Sequence, residues 1–73
     1  MNPIKRKQME DKFAAAEAAV PQLEAAIAAA ESELAEFVSV EITRQLTEEL
    51  NTLRRKHASA LEEWEALSAQ LEA

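Results

Sequence analysis

Seventy-three residues with a net charge of −6 make at most one small domain. Glycine and cysteine are absent and histidine occurs once, which excludes glycine-built phosphate cradles, disulfides, thiolate chemistry and the usual zinc patterns. The acidic balance disfavours indiscriminate binding to nucleic acid or anionic membrane. No apolar stretch approaches the ~18–20 residues that span a bilayer, and no signal-peptide pattern opens the chain, so the cytosol is the expected location.

In chain order, Asn2-Pro3 reads as an N-cap followed by proline at the first helical position. The helix it opens is expected over about 3–37. Along it Phe13, Val20, Ile27 and Leu34 recur every seven residues, interleaved with Met9, Ala16, Leu23, Ala30 and Phe37. That spacing marks a helix burying one narrow stripe against another helix. Pro21 interrupts the helix interior, where the missing N–H and the ring's clash with the preceding turn cost ~3 kcal/mol. A local kink is expected near Glu17–Pro21, on the outer face.

A turn is expected at about 38–39. Ser39 then caps a second helix over about 40–71, with Glu41 favourably placed in its positive first turn. Leu46, Leu53, Ala60 and Leu67 form one row of this helix, and Leu50, His57, Trp64 and Leu71 the other. Each helix is ~50 Å long at 1.5 Å per residue, and the short connection makes them antiparallel neighbours. The fold class is therefore all-α, a two-helix antiparallel coiled-coil hairpin forming a single domain.

One register places Met9 against Leu71, Phe13 against Leu67, Ala16 against Trp64, Val20 against Ala60 and Leu23 against His57. Ile27 then faces Leu53, Ala30 faces Leu50 and Leu34 faces Leu46. Large residues meet small ones, as interdigitated layers require. Glu24 flanks Arg54 in this register and is expected to pair with it, while Glu33 and Glu49 share a flank near the turn. His57, the one polar residue in mid-seam, is expected to tilt to the edge, pack its ring and bond a carbonyl or water; a pH switch or ligand is the sharper alternative. Ala14, Ala15, Ala18, Ala25, Ala28 and Ala29 leave the back of the first helix smooth and apolar, and Ile42 and Leu61 sit beside the seam. Weak self-association, a weak homodimer, is expected from these surfaces.

The charges are unevenly spread. Residues 1–12 carry Lys5, Arg6, Lys7 and Lys12 against Glu10 and Asp11, a local net of +2. Arg54, Arg55 and Lys56 form a second basic group, expected about a third of the way from the open end. A solvated face is the bland account of both groups, and phosphate contact is the functional one. Phe13 and Trp64 fall on the seam and read as core rather than base-stacking platforms. Glu48-Glu49 and Glu62-Glu63 are consecutive residues that point in different directions on a helix, so no catalytic pair or metal site is implied. The chain is expected to be no enzyme.

Asn2-Pro3-Ile4-Lys5 with Gln8-Met9-Glu10, the turn Phe37-Val38-Ser39-Val40-Glu41, Leu46, Leu50 and Glu62-Glu63-Trp64-Glu65 resemble the C-terminal coiled-coil domain of bacterial ABC-F proteins, ABC transporter-related ATP-binding cassette ATPases without membrane spans. The resemblance covers nearly the whole chain. It implies an accessory arm following two ATPase cassettes in a longer chain that acts on ribosomes and translation, and an arm that contacts RNA or DNA. ATP and Mg would belong to the parent's cassettes, with no cofactor in this stretch. The arm's partners would be nucleic acid, met through Lys5, Arg6, Lys7, Lys12, Arg54, Arg55 and Lys56, and the cassettes of the same chain. Valyl-tRNA synthetase also ends in an antiparallel hairpin with a Phe-Val turn, and this chain is similar to it in outline; there the arm contacts tRNA. The non-family alternative is a structural or protein-interaction hairpin that does not touch nucleic acid.

Overall fold

The computed structural model describes residues 1–36 and 39–73. Two helices account for nearly all of them: α1, Pro3–Leu34, and α2, Val40–Glu72. The Asn2 side chain accepts a hydrogen bond from the Ile4 backbone N–H at 2.8 Å, and Pro3 opens α1 as its first residue. Ser39 is extended (φ −163°, ψ 161°), and its hydroxyl oxygen accepts from the Ile42 N–H at 3.1 Å. Both caps occupy N–H groups that a helix start otherwise leaves without a partner. Glu41, in the first turn of α2, receives Arg44 at 2.8 Å and Gln45 at 3.4 Å.

The first helix ends at Leu34, earlier than the expected stop near Phe37. Its end has no glycine to take a left-handed cap, and no described residue has positive φ. The backbone tightens instead: the Ala35 N–H donates to the Glu31 carbonyl at 3.2 Å and the Glu36 N–H to the Glu33 carbonyl at 3.1 Å. Glu33 and Glu36 add negative charge where the helix dipole is already negative, and the last turn has no basic residue to offset them. Phe37 and Val38, where the helix end and turn were expected, lie outside the described residues. Helix α1 runs unbroken through Pro21. Proline has no N–H to offer the Glu17 carbonyl four residues back, so that carbonyl has lost its usual helical partner.

The helices pack antiparallel, as the cross-helix contacts show. The partners' numbers fall along α2 as they rise along α1: Arg6 meets Leu71, Phe13 meets Trp64, Glu24 meets His57 and Glu31 meets Arg54. The molecule is a rod of 54 × 16 × 15 Å. Among the described residues, Ala16, Ala30, Leu46, Leu50 and Leu67 are buried, and the remaining seam residues are half-buried. A stripe between two cylinders can be covered from one side only, so most of the seam keeps an open rim.

Leaning side chains refine the expected facing. In a helix, side chains slope toward their own N-terminus. Across an antiparallel pair the slopes are opposed, so long side chains meet partners displaced from the residue directly opposite. Arg54 leans toward the turn and reaches Glu31 at 3.9 Å rather than Glu24. Glu24 instead lies 3.7 Å from His57 Nε2. In the open-end half of the seam the small Ala16, only 6% exposed, leaves room for the Trp64 indole to extend past it. The indole stacks on Phe13, with centroids 5.9 Å apart and planes at 22°. Phe13 and Trp64 are thus held against each other in the core stripe.

Candidate functional site

The seven basic residues expected to contact phosphate do not form one patch. Arg6 belongs to the row of Phe13, Val20, Ile27 and Leu34, one heptad before Phe13. It therefore points along the seam and not away from it. Its guanidinium donates to the Leu71 carbonyl at 3.5 Å and lies 3.4 Å from Glu10. It closes the open end of the hairpin by supplying a donor to one of the orphan carbonyls at the end of α2. Extending the heptad row back by seven from Phe13 is the sequence signal for this role.

Lys7 is paired with Asp11 at 3.0 Å. The hydrogen bond that Lys7 donates to the Asp11 carboxylate, and then that carboxylate's charge, hold the Lys7 ammonium above the ordinary lysine pKa of 10.5. Lys5 and Lys12 are exposed and take part in no ion pair among the described residues. They are seven residues apart, hence on one side of α1 and about 10 Å from each other.

The second basic group stands near the middle of α2, about 25 Å from its C-terminal end, and not a third of the way along. Consecutive helix residues turn by about 100°, so Arg54 and Lys56 point to opposite flanks. Arg54 is engaged with Glu31, and Arg55 donates to the Thr52 hydroxyl at 3.2 Å. Glu62, Glu63 and Glu65 follow on α2. Toward the turn, residues 31–49 hold six glutamates against Arg44, so most of the net charge of −6 gathers at that end of the rod. Geometry thus reduces the seven residues to one available pair on α1, Lys5 and Lys12, with Lys56 set apart from it.

Among the described residues, two buried polar atoms have no hydrogen-bond partner within the protein: His57 Nε2 and Trp64 Nε1. The His57 side chain is 25% exposed and packs in the seam, with Glu24 Oε1 3.7 Å from its Nε2. Beside Trp64 lies an open cleft of about 180 Å³ lined by Glu17, Val20, Leu61 and Trp64. It falls well below the ~300–1,000 Å³ of ordinary small-molecule sites. Sequence reasoning did not single it out, although Leu61 off the seam and next to Trp64 was its visible trace.

No group of three or more potential metal-ligating side chains occurs among the described residues, and no helix is long and apolar enough to cross a membrane. The described residues form a two-helix hairpin. No family model matches it, and neither a curated protein nor a solved structure does.

Proposed function

We propose that this chain is the non-catalytic coiled-coil arm of an ABC-F-type ATPase and that it touches nucleic acid, RNA or DNA, in translation-related work. The resemblance of Asn2-Pro3-Ile4-Lys5, the turn segment and Glu62-Glu63-Trp64-Glu65 supports the parentage. The observation that carries nucleic-acid contact is the pair Lys5 and Lys12, exposed one heptad apart on α1 and free of carboxylate partners among the described residues. Their ~10 Å spacing spans a few phosphates of one strand, and the N-terminal end of α1 adds its partial positive charge. The acidic turn end would be repelled by the same phosphates, so the rod would approach with its open end first. ATP binding and hydrolysis would rest with the cassettes of the parent chain.

A second reading is a structural or protein-interaction hairpin. It is favoured by the pairing of Arg6, Lys7 and Arg54 inside the molecule and by the separation of the two basic groups. Fluorescence anisotropy of labelled duplex DNA and structured RNA, titrated with the hairpin at about 50 and 200 mM salt, separates the two. Binding that weakens steeply with salt supports the arm. Absence of binding at the lower salt supports the interaction hairpin.

A further inference from the structure

Glu10, Glu17, Glu24 and Glu31 recur every seventh residue of α1. They form one row beside the seam with about 10 Å between rungs. Three rungs face a basic group: Glu10 has Arg6 at 3.4 Å, Glu24 has His57 at 3.7 Å and Glu31 has Arg54 at 3.9 Å. Glu17 has no such neighbour among the described ion pairs. Seven residues after His57, the neighbour of Glu24, α2 presents Trp64, so an aromatic side chain stands where a cation would complete the row at Glu17. Glu17 and Leu61 are two of the four walls of the cleft, with Val20 and Trp64 as the others.

We propose that this cleft is a docking site for an arginine or lysine side chain projected from an amphipathic helix of a protein partner. A carboxylate at the rim of an apolar hollow matches a cation carried on an apolar stem. The methylenes of such a side chain cover Val20 and Leu61, while the charged head reaches Glu17 and the accessible part of the Trp64 indole. The cleft's 180 Å³ suits one long side chain and is too small for a nucleotide. A helical partner is specified by the ladder: Glu10 and Glu24 lie one heptad on either side of Glu17, so basic residues seven apart on the partner find carboxylates at the same spacing. This surface lies on the opposite flank of α1 from Lys5 and Lys12 and does not depend on nucleic-acid binding.

Trp64 is the sole tryptophan, so its fluorescence reports on the cleft directly. The probe is an alanine–leucine helical peptide with arginines seven residues apart, and its control carries citrulline, the neutral isostere, at both positions. The arginine peptide is expected to change Trp64 emission saturably. Affinity should fall at least tenfold with the citrulline peptide, and equally with the Glu17→Lys hairpin, whose circular dichroism should match that of the parent chain. Should Glu17→Lys perturb folding, Leu61→Gln tests the apolar wall instead. Equal affinity for the two peptides, or affinity unchanged in the folded variant, overturns the proposal. So does an emission change that follows protein concentration without peptide, which would mean a second copy fills the cleft, or one produced equally by duplex RNA.

Discussion

Replacing Leu50 with alanine tests whether the seam holds the hairpin together. Leu50 is 6% exposed and faces the region of Ala30, itself 4% exposed, so the truncation opens the best-covered layer of the rod. Three carbon atoms are lost, worth about 2.4 kcal/mol of transfer free energy at ~0.8 kcal/mol each. Rigid protein cores add a cavity term that brings Leu→Ala to ~2.7–5 kcal/mol. In a two-helix stripe the rim is open, and the helices can close on the gap or admit water. The cost is therefore set at the low end, about 2.5–3 kcal/mol. A hairpin of this size has only a few kcal/mol in total, so the variant should be largely unfolded at 25 °C or melt at least ~10 °C lower. Urea titration followed by far-UV circular dichroism reads the change, at two protein concentrations to separate folding from association. Ile42→Ala is the control: Ile42 is 41% exposed, and its truncation should cost under about 0.5 kcal/mol. A loss below 1 kcal/mol for Leu50→Ala, or losses equal for the two variants, would refute the seam as the source of stability.

Other perturbations address the ends, the interruption and the charges. Pro21→Ala restores an N–H to the Glu17 carbonyl inside a continuous helix, and should stabilise by about 2 kcal/mol after allowing for the looser unfolded chain, read as a rise in thermal midpoint. Ser39→Ala removes the acceptor for the Ile42 N–H and should cost about 1 kcal/mol, with faster hydrogen exchange confined to the first turn of α2. Lys7 should titrate above the ordinary lysine value of 10.5 in an NMR pH series. Its pKa is raised in the folded chain, so any stability it contributes is fully present below 10.5 and is lost as pH rises through the folded value; Asp11→Asn should abolish the displacement.

The seam was legible because burial in a two-helix rod depends almost wholly on period. Every described apolar residue of the heptad rows, and His57 with them, is buried or half-buried, and both caps sit where Asn2-Pro3 and Ser39 placed them. What period does not carry is the direction of long side chains. Facing by residue number paired Arg54 with Glu24, whereas opposed slopes bring it to Glu31. The stacking of Trp64 on Phe13 likewise needs the volume left by Ala16, which is a matter of neighbours rather than spacing. The basic cluster at the N-terminus looked uniform because a run of letters hides azimuth. Once wound into a helix it divides into Arg6 on the seam, Lys7 against Asp11, and Lys5 with Lys12 left exposed on one side. The early end of α1 reflects carboxylates at the wrong end of a helix dipole, a term the apolar pattern does not contain.

The proposed arm stands on Lys5 and Lys12, and the slope of binding against salt tests them most directly. For duplex DNA the logarithm of the binding constant falls by about 0.9 per phosphate contact against the logarithm of salt concentration. Substituting Lys5→Gln with Lys12→Gln should flatten that slope by about 1.8 and weaken binding across all sequences, while Arg55→Gln should leave it nearly unchanged. An unaltered slope in the double variant, with circular dichroism showing the hairpin intact, would contradict the account.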